Sequence, residues 1–124
     1  MSAINGIPAV LIIDDDPALL RFMSLLLRIE GYEVSTSPDG AEGLHCLELE
    51  EPDLIILDLS MPHIDGREFY RLARQGGFTG PVLICSAAGA LEAQRELGAN
   101  AYIRKPFEPD ILVDSVHRLL TPAA

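Results

Sequence analysis

The run Val10-Leu11-Ile12-Ile13-Asp14-Asp15-Asp16-Pro17 passes from four aliphatic residues to three carboxylates and then a proline. A short, β-branched aliphatic run reads as a buried strand. Proline suits the first turn of a helix, where its missing N–H has no partner to lose. Beyond it Leu19, Leu20, Met23, Leu26 and Leu27 recur at three- and four-residue steps until Gly31. The stretch is therefore a strand feeding a helix, and the same pattern recurs along the chain. Tyr32 to Thr36 reads as a second, more polar strand, as suits a sheet edge, and Asp39 can cap a helix whose Leu44 and Leu47 face inward. Pro52 separates that helix from the strand Leu54-Ile55-Ile56-Leu57. A loop with Met61-Pro62 follows Asp58, and Asp65-Gly66 leads into a helix carrying Phe69, Leu72 and Ala73. Gly76 to Gly80 is a loop by composition. Pro81 opens the strand Val82-Leu83-Ile84-Cys85, a short Ala-rich helix ends at Leu97-Gly98, and Ala101-Tyr102-Ile103 is the fifth strand. After Lys105-Pro106 a last helix is expected to bury Ile111, Leu112, Val116, Leu119 and Leu120 before a Thr121-Pro122 tail. Five strands alternating with five helices predict an α/β fold with a parallel sheet.

At 124 residues, 48% of them hydrophobic and 23% charged, the chain has the length and balance of one folded domain. Nineteen acidic against nine basic residues give a net charge of −10, which opposes direct binding to nucleic acid or anionic lipid. No apolar run approaches the roughly 18 residues of a membrane span. The first thirteen residues carry no Lys or Arg and resemble no signal peptide, so a cytoplasmic protein is expected. Cys46 and Cys85 lie 39 positions apart in apolar surroundings and read as buried, reduced thiols. His45, His63 and His117 show no metal-ligand spacing and read as surface or helix residues.

Ligands of a parallel α/β sheet sit beyond the carboxyl ends of its strands. Four polar sites fall there: Asp14-Asp15-Asp16, Asp58, Ser86 and Lys105. Two carboxylates about 4 Å apart repel by roughly 4 kcal/mol at an effective dielectric near 20, so a clustered set calls for a cation. The candidate ligands are hard oxygens, which favours Mg²⁺ over Zn²⁺. A cation beside Asp58, a lysine and a hydroxyl is also what phosphoryl transfer to a carboxylate requires, with Asp58 as nucleophile. Lys105 is the single lysine in the chain, and its compact ammonium suits a small phosphoryl pocket.

With Asp65-Gly66, Ile84-Cys85-Ser86-Ala87 and Lys105-Pro106-Phe107 added to the two strand ends, the chain resembles the receiver domain of bacterial two-component response regulators. The resemblance spans residues 8–120 as a single domain. It implies a flavodoxin-like (βα)5 three-layer sandwich with strand order 2-1-3-4-5. It also implies a phosphoacceptor signalling protein, not an enzyme acting on other substrates. On that basis Asp58 takes a phosphoryl group from a sensor histidine kinase or a histidine phosphotransfer protein and the protein then controls a downstream partner. Asp15 and Asp58 would bind Mg²⁺ directly, Asp14 through water, and Ser60 through its backbone carbonyl. Ser86 matches the switch hydroxyl, Lys105 the phosphate-binding lysine and Tyr102 the aromatic that changes rotamer.

One feature departs from that pattern: Ser86 and Lys105 are 19 positions apart, about one helical turn short of the family's usual spacing. A short fourth helix is expected. A phosphatase of the haloacid dehalogenase type would also use strand-end aspartates, a lysine and Mg²⁺, with Asp14 as nucleophile. The chain lacks that family's further acidic cluster and has no room for its cap domain.

Overall fold

In the computed structural model, which describes residues 6–121, Pro122 and the first five residues of the N-terminal stretch lie outside the described part. The elements run β1 (Ala9–Ile13), α1 (Pro17–Ile29), β2 (Glu33–Ser37), α2 (Gly40–Leu49) and β3 (Leu54–Leu57). They continue with α3 (Gly66–Gln75), β4 (Val82–Ser86), α4 (Ala90–Leu97), β5 (Ala101–Arg104) and α5 (Pro109–Leu120). The five strands are parallel and ordered β2-β1-β3-β4-β5, as expected, with the polar β2 on an edge.

Strand periodicity sorts the apolar side chains onto two faces. Leu11, Ile13, Ile55, Leu57 and Ile84 pack with Phe69, Tyr70 and Ala73 of α3 and with Ala90 and Ala93 of α4. Val10, Ile12, Leu54, Ile56, Leu83 and Cys85 pack on the other side with Met23 and Leu27 of α1 and Leu112 and Val116 of α5. The result is three layers, with α2, α3 and α4 on one face and α1 and α5 on the other.

The helix starts follow the acidic caps. Asp16 accepts from the N–H groups of Ala18 and Leu19, Asp39 from Glu42 and Asp65 from Glu68, each satisfying donors that the first turn leaves unpaired. Gly66 has a further role: a Cβ there would run into the carbonyl oxygen of Asp58 and stand 2.6 Å from Leu59 Cα. Only glycine lets α3 begin against that strand end.

Three expectations need correction. Ile111 is 48% exposed, because α5 turns Leu112 and Val116 to the sheet and the residue before Leu112 points about 100° away. Cys46 is half-buried, since α2 lies over the β1–β2 edge with α3 on one flank only; both cysteines are free. Ser86 is the last residue of β4, paired with Arg104, rather than the first beyond it. The fourth helix is short, at eight residues. No helix among the described residues is long and apolar enough to cross a membrane.

Candidate functional site

Register builds the site. Ile13 pairs with Leu57, so Asp14 and Asp58 leave adjacent strands at the same height. Their backbone N–H groups remain tied to neighbouring strands, Asp14 to the Ser37 carbonyl at 3.1 Å and Asp58 to that of Ile13 at 3.0 Å. Lys105 donates its backbone N–H to the Ser86 carbonyl at 3.0 Å. These ladder bonds fix the first two carboxylates and the ammonium before any side-chain contact forms.

The side chains then close on one another. Lys105 Nζ donates to Asp14 Oδ2 at 2.6 Å and stands 3.5 Å from Asp58 Oδ1. Asp14 Oδ1 accepts from the Asp16 N–H at 3.0 Å, and Asp58 Oδ1 from the Ser60 N–H at 3.4 Å. Asp14 is 2% and Asp58 5% exposed, whereas Asp15 faces solvent. Ser60 and Ser86 line the same open cleft as these groups. Tyr102 does not: it stands on β5, 39% exposed, outside that lining.

The electrostatics follow from this geometry. Burial raises the Asp58 carboxyl above its ordinary value and the charge of Asp14 adds to it, while Lys105 and the Ser60 N–H oppose both. Burial alone would lower Lys105; the hydrogen bond and charge of Asp14, helped by Asp58, outweigh it and leave the ammonium's value raised. One cation thus shares two buried carboxylates, and the set remains short of positive charge.

Asp14, Asp15 and Asp58 each offer a carboxylate oxygen, and these atoms lie within 4.8 Å of one another. The donor set is all hard oxygen, with a solvent-facing side at Asp15 where waters would complete a coordination shell. That fits Mg²⁺, which keeps several waters and seeks carboxylates. Once bound, it supplies positive charge for the equatorial oxygens of a transferring phosphoryl group.

Sequence reasoning brought together Asp14, Asp15, Asp58, Ser60, Ser86 and Lys105, and the structure places all six around one cleft. It missed Arg67, which lines that cleft from the first turn of α3. The only signal was its place directly after Asp65-Gly66. It also missed that Asp14 holds Lys105, a contact across 91 positions.

Comparison with known proteins agrees with this geometry. Residues 10–117 match the family described as response regulator receiver domain. The Escherichia coli transcriptional regulatory protein GlrR is 36% identical over 118 residues, 93% of this chain but 27% of its own length. Among such curated relatives the chain spans between about a quarter and a half of their length. The chemotaxis protein CheY4 of Vibrio cholerae superposes with a TM-score of 0.86 at 30% identity, covering 92% of this chain and 99% of that one. The response regulator TrrA of Thermotoga maritima, solved in complex with Mg(2+)-BeF, gives 0.84 at 30% identity, covering 92% and 100%. The chain belongs to the response regulator receiver domain family, the phosphoacceptor modules of two-component signalling, and its acidic triad is of the Mg²⁺-binding kind found in such receivers.

Proposed function

We propose that Asp58 is the residue phosphorylated, and that its donor is a phosphohistidine on a sensor histidine kinase or a histidine phosphotransfer protein. One observation carries the assignment: Asp58 is the buried carboxylate at the end of the central strand whose Oδ1 stands 3.5 Å from the lone lysine. Asp14, the other buried carboxylate, is already committed to that lysine at 2.6 Å. An Asp58 oxygen attacks phosphorus, forming a P–O bond as the P–N bond breaks, and the departing imidazole nitrogen takes a proton from solvent. Lys105 then meets the phosphoryl oxygens. Asp15, Asp58 and the Ser60 carbonyl would hold Mg²⁺, with Asp14 acting on it through water.

Ser86, at the cleft end of β4, donates to the phosphoryl group, and Tyr102 turns from its exposed position toward the space this opens. The pairing of Ile84 with Tyr102 on adjacent strands supports the coupling. The receiver domain runs over residues 8–120, bounds that the 10–117 family match supports from within. As a receiver, the chain is not a classical enzyme; its downstream partner is read as a protein rather than nucleic acid, given the charge of −10.

Intact-mass measurement after a small phosphodonor and Mg²⁺ tests the assignment. One phosphoryl adduct, labile to hydroxylamine and absent from Asp58→Asn, is the expected result. An adduct of the same lability on Asp58→Asn would overturn it.

A further inference from the structure

Among the described residues, two cations line the cleft, Lys105 and Arg67. Lys105 is held by Asp14. Arg67 is held from the opposite side: its Nε donates to Glu96 Oε1 of α4 at 2.8 Å, joining α3 to α4. This pair is an open one, its side chains 38% and 55% exposed, and exposed ion pairs contribute little. The β4–α4 link, Ala87-Ala88-Gly89, borders the same cleft through Ala87 and Ala88 and has no side chain longer than a methyl. The Nη2 of Arg67 lies 3.8 Å from where a Gly89 Cβ would be. The guanidinium is therefore anchored through one nitrogen, while the same side chain lines the cleft that holds Asp58.

α4 is short and weakly started. It has eight residues and starts at a left-handed Gly89 with no side-chain cap, whereas its end is closed by Gly98 and by Gln94 Nε2 donating to the Ala99 carbonyl at 2.7 Å. A helix this short depends on its tertiary contacts. Its fully buried residues, Ala90 and Ala93, are small, and only the half-buried Leu97 adds a larger apolar side chain to the core contact. The Arg67–Glu96 pair is thus a clasp on the shortest of the five helices, made by a side chain that also borders the phosphorylation cleft.

We propose that Arg67 changes partners on phosphorylation, leaving Glu96 for the phosphoryl oxygens on Asp58, and so releases α4 from α3. The inference rests on Asp58 being the acceptor. A phosphoryl group carries about −1.5 to −2 charge and offers three acceptor oxygens, against the single charge of Glu96. Guanidinium meets such oxygens through two parallel N–H bonds, which the one-nitrogen contact to Glu96 does not use. Arg67 is a positioning residue in this scheme: it reports the phosphoryl group to α4.

Hydrogen exchange of residues 90–97 and the Arg67 Nε–H resonance test this in the full chain, before and after acetyl phosphate with Mg²⁺. Intact mass is read on each sample. In the unmodified sequence phosphorylation should speed α4 exchange by about 2- to 5-fold, the size expected from losing one exposed ion pair, and should shift the Arg67 resonance. In Glu96→Gln, α4 should already exchange fast, while the Arg67 resonance still shifts on phosphorylation; loss of a merely structural clasp would not produce that shift. In Arg67→Gln, α4 should exchange fast in both states. An adduct on Asp58 with α4 exchange and the Arg67 resonance unchanged would overturn the partner exchange and leave the acceptor assignment standing. So would Arg67→Gln retaining the phosphorylation-dependent acceleration. A chain that takes no adduct at all overturns the acceptor assignment and the exchange together.

Discussion

Asp58 holds a charge where burial and Asp14 both oppose it, and Lys105 offsets only part of that opposition. Asp58→Asn should therefore raise stability in Mg²⁺-free, low-salt buffer by about 1 kcal/mol, or roughly 4 °C in melting temperature. The pH dependence has a definite sign. A carboxyl whose folded value lies above its unfolded value binds more protons in the folded state, so stability falls as pH rises through that interval. The advantage of Asp58→Asn should appear as pH rises from the ordinary value of 3.8 through the raised one, and vanish below it. Melts from pH 3 to 7 check this; a gap between the two proteins that persists at pH 3 would contradict it. The cysteines make a second contrast. Burial pushes the Cys85 thiol up to about 12, while Cys46 is half-buried with a smaller upward displacement from burial and Glu42. Since the thiolate is the nucleophile, iodoacetamide at pH 8 should label Cys46 and leave Cys85 intact until the protein unfolds, as peptide mapping would show. Lys105 was legible in the sequence because it is the lone lysine beside acidic strand ends. Its pairing with Asp14 was not, because that contact depends on strand order rather than on either residue's neighbours.

Elements were legible wherever periodicity and caps agreed, as in α1, where Asp16, Pro17 and the leucine spacing all point to one start. The short fourth helix was legible too, from the 19 positions between Ser86 and Lys105. Less legible was what holds the α3–β4 link. Glycines mark it as a loop, yet Arg74 gives it shape, stacking on Tyr70 and Phe78 and donating to the Phe78 and Gly80 carbonyls at 3.0 and 2.7 Å. Nothing in the local pattern separates that arginine from its solvated neighbour Arg71. At the other end of α3, Gly66→Ala should destabilise by about 2 to 3 kcal/mol, because the added methyl meets backbone that cannot yield. Urea unfolding measures the loss; a variant within 0.5 kcal/mol, roughly the range of a neutral surface change, would show that α3 shifts freely. Where β4 meets the cleft, Ser86→Ala should still accept a phosphoryl group while the Tyr102 ring signals stay near those of the unphosphorylated form. Ring signals that move as fully as in the unmodified protein would detach Tyr102 from Ser86.

The whole molecule places a negative site in a negative protein. Net charge of −10 and three convergent carboxylates make a divalent cation a folding ligand as well as a cofactor. A ligand that binds only the folded state adds RT ln(1 + [L]/Kd), about 2.7 kcal/mol at a hundred times Kd. Millimolar Mg²⁺ should raise the melting temperature by several degrees, and the rise should shrink in Asp15→Asn; identical melts with and without Mg²⁺ would remove the metal from the site. The order of the strands has one more consequence. Asp14 and Asp58 are synthesised before their shared ammonium, which arrives only with the residue after β5. A nascent chain that stops short of Lys105 has the two carboxylates without the ammonium that pairs with both. Competence to receive a signal is therefore conferred only once the residue after β5 is in place, and a copy that stops short of it is silent by construction.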